Sequence, residues 1–442
     1  MPHSTQRIRP ASTAVMPAAT PIIRFCMQSH STNPPALRSG VHLHLTMVAA
    51  LLSMLGPFTI DTYLPSFPDI ESAFSVSRAV LSQSLGIYLV AFAVSTLFWG
   101  PLADRIGRRP VMMISLTIYT LASVGCAMAA YIDSFLLLRL LQGLAASGGF
   151  IAGRAMIRDA HDAASAHQAM AQVMLLFALA PAIAPVLGGW LHDQFGWHSV
   201  FWFLSGFGAL LMLLVAFIRE TLTKTQRHSF HPAAVIQVYK RMMINGHFLR
   251  LVLTLAFTFA GLFLYIAGAP SLIYDFLGLG SSDFSLLFIP MVGGIMIGAV
   301  ISSRMVHHYT STRIIAIGMG LIIAAVVMNL LQALFMDVHL LFIIGPLVMY
   351  ALGLAMVMPG LTILALDCFP DNRGAAASVQ GFLQMAISAC VASIAVPLLH
   401  SAQLYFVLGQ GLFLIIALAL WFHVARQLHK DRQAQASALT AV

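Results

Sequence analysis

The sequence predicts an all-α membrane protein with twelve transmembrane helices in two six-helix bundles. Three observations lead there. Of 442 residues, 59% are apolar and 9% charged, against about 25% charged in a soluble domain. Apolar runs long enough to cross hydrocarbon as helices follow one another from residue 44 to residue 424. Lysine and arginine fall almost entirely in alternate connections between those runs and in the two terminal segments. So few charges could not cover a water-exposed surface, and mean hydropathy is +0.88, so a water-soluble enzyme does not fit. The runs are continuous and do not alternate, which excludes a β-barrel.

Residues 1–43 read as a disordered cytoplasmic tail, rich in Ser, Thr and Pro. The composition also resembles a transit peptide, but no continuous apolar stretch precedes a small-residue cleavage site. Spans are expected at 44–68, 80–100, 111–131, 134–157, 170–191 and 199–218, which form an N-terminal bundle over 44–218. Residues 219–247 are the longest polar interruption and read as a cytoplasmic central loop. Six further spans, at 248–270, 284–303, 313–335, 340–364, 374–398 and 402–424, form a C-terminal bundle over 248–424, and 425–442 read as a cytoplasmic tail. With the N-terminus inside, 21 basic residues fall on the inner side and one, Arg78, on the outer, with Arg139 left within a span. That asymmetry puts both termini in the cytoplasm. It also accounts for the net charge of +8 as topology, so nucleic-acid binding is dropped. Gly100 and Gly298, 198 residues apart near the inner ends of spans 2 and 8, suggest a duplicated six-helix unit.

The first inner loop reads Gly100-Pro-Leu-Ala-Asp104-Arg105-Ile-Gly107-Arg108-Arg109-Pro110. Gly100 and Pro101 are expected to end span 2, and Gly107 to permit a tight turn. Asp104 can bond backbone donors or arginines, and the bases hold the loop inside. In span 4, Arg139 is expensive, about 3 kcal/mol on insertion scales. Gln142, Gly143, Ala146 and Gly153 follow it at helical spacing, so one face is small and polar. Arg139 reads either as a cavity-lining charge or as a structural arginine satisfied by carbonyls.

Asp61 is the one carboxylate well inside any run. It lies ~10 Å from the outer end of span 1, and Arg139 lies ~8 Å in from the same side. The matching depths allow an ion pair or a shared water cavity. Burial pushes a carboxylate toward its neutral form and a nearby arginine pulls it back, so such a group can take and release a proton. The other reading is a purely structural aspartate. In span 5, Ala180, Pro181, Ala184, Pro185, Gly188 and Gly189 place small residues for close helix approach and prolines that bend the helix. Tyr63, Tyr88, Phe150, Phe257 and Tyr265 can present aromatics to a cavity, or face lipid or core.

These motifs resemble the major facilitator superfamily. The loop 100–110 is similar to its G-x-x-x-D-R-x-G-R-R signature, and Arg139, Gln142 and Gly143 to its span-4 R-x-x-Q-G signature. Span 5 resembles the antiporter signature G-x-x-x-G-P-x-x-G-G, with Ala180 and Ala184 in place of two glycines. The sharper resemblance, carried by Asp61-Thr-Tyr-Leu-Pro65 and Gly153-Arg154-Ala-Met-Ile-Arg158-Asp159 among others, is to the twelve-span drug:proton antiporters of the Bcr/CflA type, the branch associated with bicyclomycin and chloramphenicol resistance. Ser53 stands where some relatives carry a second span-1 acid.

The resemblance implies a bacterial inner-membrane exporter of small, mostly apolar compounds, driven by the proton gradient with alternating access. It implies Asp61, Arg139, Gln142 and Tyr63 for proton coupling and the substrate cavity. It implies Gly100, Asp104, Arg105, Gly107, Arg108, Arg109 and Asp159 for a gating loop, with Asp104, Arg109 and Asp159 latching the inner face when the cavity faces out. The expected partners are the lipid bilayer, a small-molecule substrate and protons, and a monomer is expected. The alternative on the same scaffold is a metabolite, nucleoside or siderophore carrier, as exporter or symporter. No enzyme activity, cofactor or metal is expected: there is no ATP-binding G-x-x-x-x-G-K-[ST] and no histidine array of ligand spacing. Cys26, Cys126, Cys368 and Cys390 form no disulfide or ligand spacing.

Overall fold

The computed structural model describes residues 39–222 and 232–440, and among these the chain is helical with no strand. The expected tail over residues 1–38 and part of the central loop lie outside the described residues. Span 1 is α1 (Ser39–Asp61), a turn, and a short outer helix α2 (Phe67–Phe74). Next come α3 (Arg78–Ile106), α4 (Arg108–Ala127), α5 (Ile132–Ala160), α6 (Ala163–Phe195) and α7 (His198–Ala216). The polar interruption contains α8 (Pro232–Ile244). The second set is α9 (Gly246–Ala267), α10 (Phe284–Met305), α11 (Ser311–Phe335), α12 (Leu340–Asp367), α13 (Arg373–Cys390), α14 (Val396–Leu399) and α15 (Gln403–Thr440). Among the described residues, twelve helical segments are long and apolar enough to cross a membrane, so this is a multi-pass membrane protein.

Within the first set α5 packs on α3 and α4, and α4 on α7; within the second α12 packs on α10 and α11, and α15 on α9 and α11. The two bundles meet where α3 lies against α13 and α6 against α10. Missing side chains set the close approaches. A Cβ on Gly143 would lie 2.3 Å from the Tyr88 carbonyl oxygen, and one on Gly298 would lie 2.3 Å from that of Leu352. The α3–α5 and α10–α12 contacts thus use one device in both bundles: a glycine seated on a facing backbone.

Three local expectations change. Helix α3 does not end at Gly100-Pro101 but runs to Ile106. Pro101 removes the donor that would bond the Leu97 carbonyl. The Tyr239 hydroxyl, from α8, donates to that oxygen at 3.3 Å, so the freed acceptor is satisfied from outside the helix. The turn comes instead at Gly107, whose φ of +111° is a conformation other residues rarely adopt. The central segment is partly helical. Helix α8 is 13 residues long, too short for a span, and Pro232 at its start has no donor to lose there. The C-terminal segment expected as a tail from 425 continues as helix to Thr440.

Candidate functional site

Arg139 of α5 is fully buried. Its guanidinium lies 4.4 Å from the centre of the Tyr63 ring and 4.7 Å from that of Tyr88. Nη1 donates to Gln142 Oε1 at 2.6 Å and to the Thr59 carbonyl at 3.4 Å. Nε and Nη2 have no hydrogen-bond acceptor and are left to the aromatic faces. Gln142 passes the chain on, donating to Ser123 Oγ at 2.8 Å. Thr59 Oγ1 and the Tyr119 hydroxyl share a bond at 2.6 Å, and the Tyr63 hydroxyl and Ser84 Oγ one at 3.2 Å. Span 1, α3, α4 and α5 therefore meet in one buried polar nest. A desolvated cation over an aromatic face gains about 2 kcal/mol or more, comparable to the insertion cost of the arginine.

Asp61 makes no hydrogen bond to that nest, although its carboxylate lies within electrostatic reach of the Tyr88 hydroxyl. It is 3% exposed, and no hydrogen bond or ion pair reaches its carboxylate among the described residues. The ion pair allowed by matching depth is not made: Arg139 bonds Gln142 and the Thr59 carbonyl instead.

At the inner end, Arg108 is the arginine that holds the loop. It bonds Asp104, four residues earlier across the Gly107 turn, and donates from Nε to Asp159 Oδ2 at 2.9 Å. Arg109 instead donates to the Ala216 carbonyl at 2.7 Å. Arg105 is exposed. Gly100 lies near Ile151, where a Cβ would make only ordinary contact at 3.9 Å. Glu220, which the motif does not include, accepts from the backbone N–H groups of Arg108 and Arg109, both at 3.0 Å. A carboxylate on the first N–H groups of α4 satisfies donors a helix leaves open. The sequence signal was available: Glu220 is the lone acid directly after span 6, among bases.

In α6 both Pro181 and Pro185 sit inside one continuous helix. Beyond them Gly188 and Gly189 are seats for other backbones. A Cβ would lie 1.9 Å from the Thr62 carbonyl oxygen at Gly188 and 2.5 Å from that of Ser281 at Gly189. The C-terminal bundle holds a neutral nest that composition did not reveal. Buried Asn329 donates to the Tyr265 hydroxyl at 2.5 Å and to Gln410 Oε1 at 3.1 Å, and the Tyr350 hydroxyl donates to the Thr258 carbonyl at 2.8 Å. Phe257 pairs with Phe413 at 6.3 Å between ring centres.

The ends of the bundles on the expected outer side are tied together. Arg78 bonds Glu71 at 2.7 Å within its own bundle and Asp275 at 2.5 Å and Ser271 Oγ at 3.3 Å across the divide. The Tyr274 hydroxyl donates to the Pro65 carbonyl at 2.5 Å, Gln83 Nε2 to the Ser393 carbonyl at 2.8 Å, and Ser281 bonds Asp193. Ser271–Phe276 and Val391–Ala395, which supply Ser271, Asp275, Tyr274 and Ser393, are π-helical, a winding that frees backbone carbonyls and is frequent at functional positions. Among the described residues, no ion pair joins the bundles at their inner ends.

Residues 47–393 match the Major Facilitator Superfamily. The chain is 30% identical over 364 residues to a Bacillus subtilis (strain 168) protein named Uncharacterized MFS-type transporter YdgK, covering 80% of this chain and 88% of that protein. It is 25% identical over 391 residues to the Bicyclomycin resistance protein homolog of Haemophilus influenzae (strain ATCC 51907 / DSM 11121 / KW20 / Rd), covering 86% and 96%. Among solved structures, the fold is similar to that of a bacterial homologue of the human lysosomal transporter Spinster, with a TM-score of 0.68 at 17% identity over 89% of this chain and 98% of that one. A twelve-helix membrane chain with a family match over most of its length and these relatives belongs to the major facilitator superfamily.

Proposed function

We propose that this chain exports small, mostly apolar drugs across the bacterial inner membrane in exchange for protons, by alternating access, with both termini in the cytoplasm. Relatives named for bicyclomycin resistance support the drug class, and the distribution of basic residues supports the orientation. The observation that carries the proton coupling is Asp61, a buried carboxylate inside a span with no partner among the described residues. An intramembrane acid held by no ion pair is free to change protonation as its surroundings change from wet to dry.

Arg139 sits across the same helix end and bonds the Thr59 carbonyl, so a change at Asp61 is transmitted to the nest through two residues of α1. Arg108, Asp104 and Asp159 brace the inner ends of α3, α4 and α5 as one unit, so that they move together. The protein runs as a monomer and without a cofactor, on the proton gradient. One charge crossing 100 mV supplies about 2.3 kcal/mol, enough to hold a roughly 50-fold gradient of neutral cargo.

The test is expression in an efflux-deficient bacterial host. Resistance to chloramphenicol or bicyclomycin is expected to rise several-fold and to vanish with an uncoupler. Unchanged susceptibility to a panel of apolar drugs, with the protein present in the membrane, would contradict the reading.

A further inference from the structure

A ladder of aromatic rings leads inward from the Arg139 nest. Tyr88 lies 6.2 Å from Phe92, Phe92 lies 6.2 Å from Phe150, and Phe150 lies 6.4 Å from Phe177, between ring centres. Their helices α3, α5 and α6 converge there, and the three phenylalanines are partly exposed. At the inner end the Arg154 guanidinium lies 4.0 Å over the Phe150 ring. Arg154 is also partly exposed, and no hydrogen bond or ion pair reaches it among the described residues.

The exposure of these side chains is not exposure to lipid. On α5 the lipid side is marked by Leu137 and Leu141, 59% and 38% exposed. Phe150 is nine residues beyond Leu141, about 180° round the helix, and Arg154 about 220° round. Phe92 falls roughly 200° from Val90, which is 48% exposed. Helices α3 and α5 thus turn their lipid faces one way and their phenylalanines the opposite way, toward the interior, and Phe177 joins them through its ring contact with Phe150 at 6.4 Å. There Phe92 approaches span 1, with its Cε2 3.9 Å from where a Cβ on Gly56 would be.

Resting on the exporter reading, we infer that Phe92, Phe150, Phe177 and Arg154 form an inner-half recognition wall for flat aromatic cargo that carries an anionic or strongly electron-rich acceptor group. Aromatic faces take the ring by offset or edge-on contact. The acids nearest Arg154 along α5 and the inner loop are spoken for, because Asp159 and Asp104 are both bonded to Arg108. Its planar fork therefore has donors to offer an acceptor arriving from the cytoplasmic side. Arg139, fully buried between two rings, offers nothing comparable. The wall favours anions over neutral cargo of the same shape.

The test uses purified full-length protein in nanodiscs, titrated calorimetrically with naphthalene-2-sulfonate, 2-naphthylmethanol and octane-1-sulfonate. The wild type is expected to bind the aromatic sulfonate about tenfold more tightly than either of the other two. Arg154→Gln brings the sulfonate to the affinity of the alcohol and leaves the alcohol within about twofold. Phe177→Ala weakens both ring probes and leaves octane-1-sulfonate unchanged. Equal wild-type affinities for sulfonate and alcohol overturn the inference, as does an Arg154→Gln protein that loses both ring probes, which would mark a structural role. Octane-1-sulfonate binding as tightly as the aromatic sulfonate overturns it too, since a ringless anion site is of lipid-headgroup type. If Arg154→Gln does not fold, the wild-type comparison decides alone. Drug resistance in cells is scored separately: Arg154-dependent sulfonate binding without resistance sinks the exporter reading and leaves the wall standing.

Discussion

Arg139 survives inside a membrane helix without a carboxylate partner. Two tyrosine faces and two carbonyl-type oxygens take the place of one. A lysine would keep the charge but could neither lie flat between the rings nor bond Gln142 and Thr59 from a rigid plane. Arg139→Lys is therefore expected to lower stability by about 2 kcal/mol, read as a fall in thermal midpoint in detergent. Tyr63→Phe keeps the ring and loses only the bond to Ser84, at a cost of about 1 kcal/mol or less; equal effects of the two substitutions would contradict this account. The buried charged side chains Asp61 and Arg139 were legible in the sequence because charge inside an apolar run is conspicuous. Their pairing was not. Depth can be counted along a span, but it does not say which acceptors Arg139 takes, and these are Gln142 and the Thr59 carbonyl. Asp104 and Arg108 stand four apart, which on one helix would have marked the pair, yet the motif spans two helices and the turn at Gly107 hid the relation. The neutral nest around Asn329 carries no charge to announce it.

At the scale of elements, irregular backbone is matched by a partner elsewhere. Pro101 frees the Leu97 carbonyl and Tyr239 takes it, which ties α8 to α3. The π-helical stretch at Val391–Ala395 presents the Ser393 carbonyl to Gln83. Gly86 makes that approach tight: a Cβ there would lie 1.6 Å from Ser393 Oγ and 2.9 Å from its Cβ. Gly86→Val is expected to keep α3 and α13 from closing at their outer ends. Spin labels at Ser77 and Ser401 should report a longer distance than in the parent, and an unchanged distance would show that the seat is not needed for closure. None of this could be read from apolar run lengths. A run specifies that a helix crosses the membrane, not where a proline's orphaned acceptor finds a donor. Helix α8 escaped for a related reason, being short, half-exposed and set in a polar stretch.

For the whole molecule, span number was legible because the bilayer imposes length. The one basic residue that broke the pattern, Arg78, is the one that fastens the outer ends of the two bundles. Removing only its cross-bundle partner separates gate from helix cap. Asp275→Asn should enrich the long Ser77–Ser401 distance, whereas Glu71→Gln, which leaves the Asp275 contact, should not; the same shift in both would contradict a gate built on Asp275. Which end of the molecule is closed was outside the reach of sequence, since one sequence serves every state of the cycle. On the proposed mechanism, Asp61 exchanges its proton for cargo. Proteoliposomes holding the purified protein and an internal pH indicator measure it directly when a transported drug is added. Drug-driven proton movement is expected with the wild type and none with Asp61→Asn reconstituted at equal density; proton movement that persists in Asp61→Asn would contradict the assignment of Asp61.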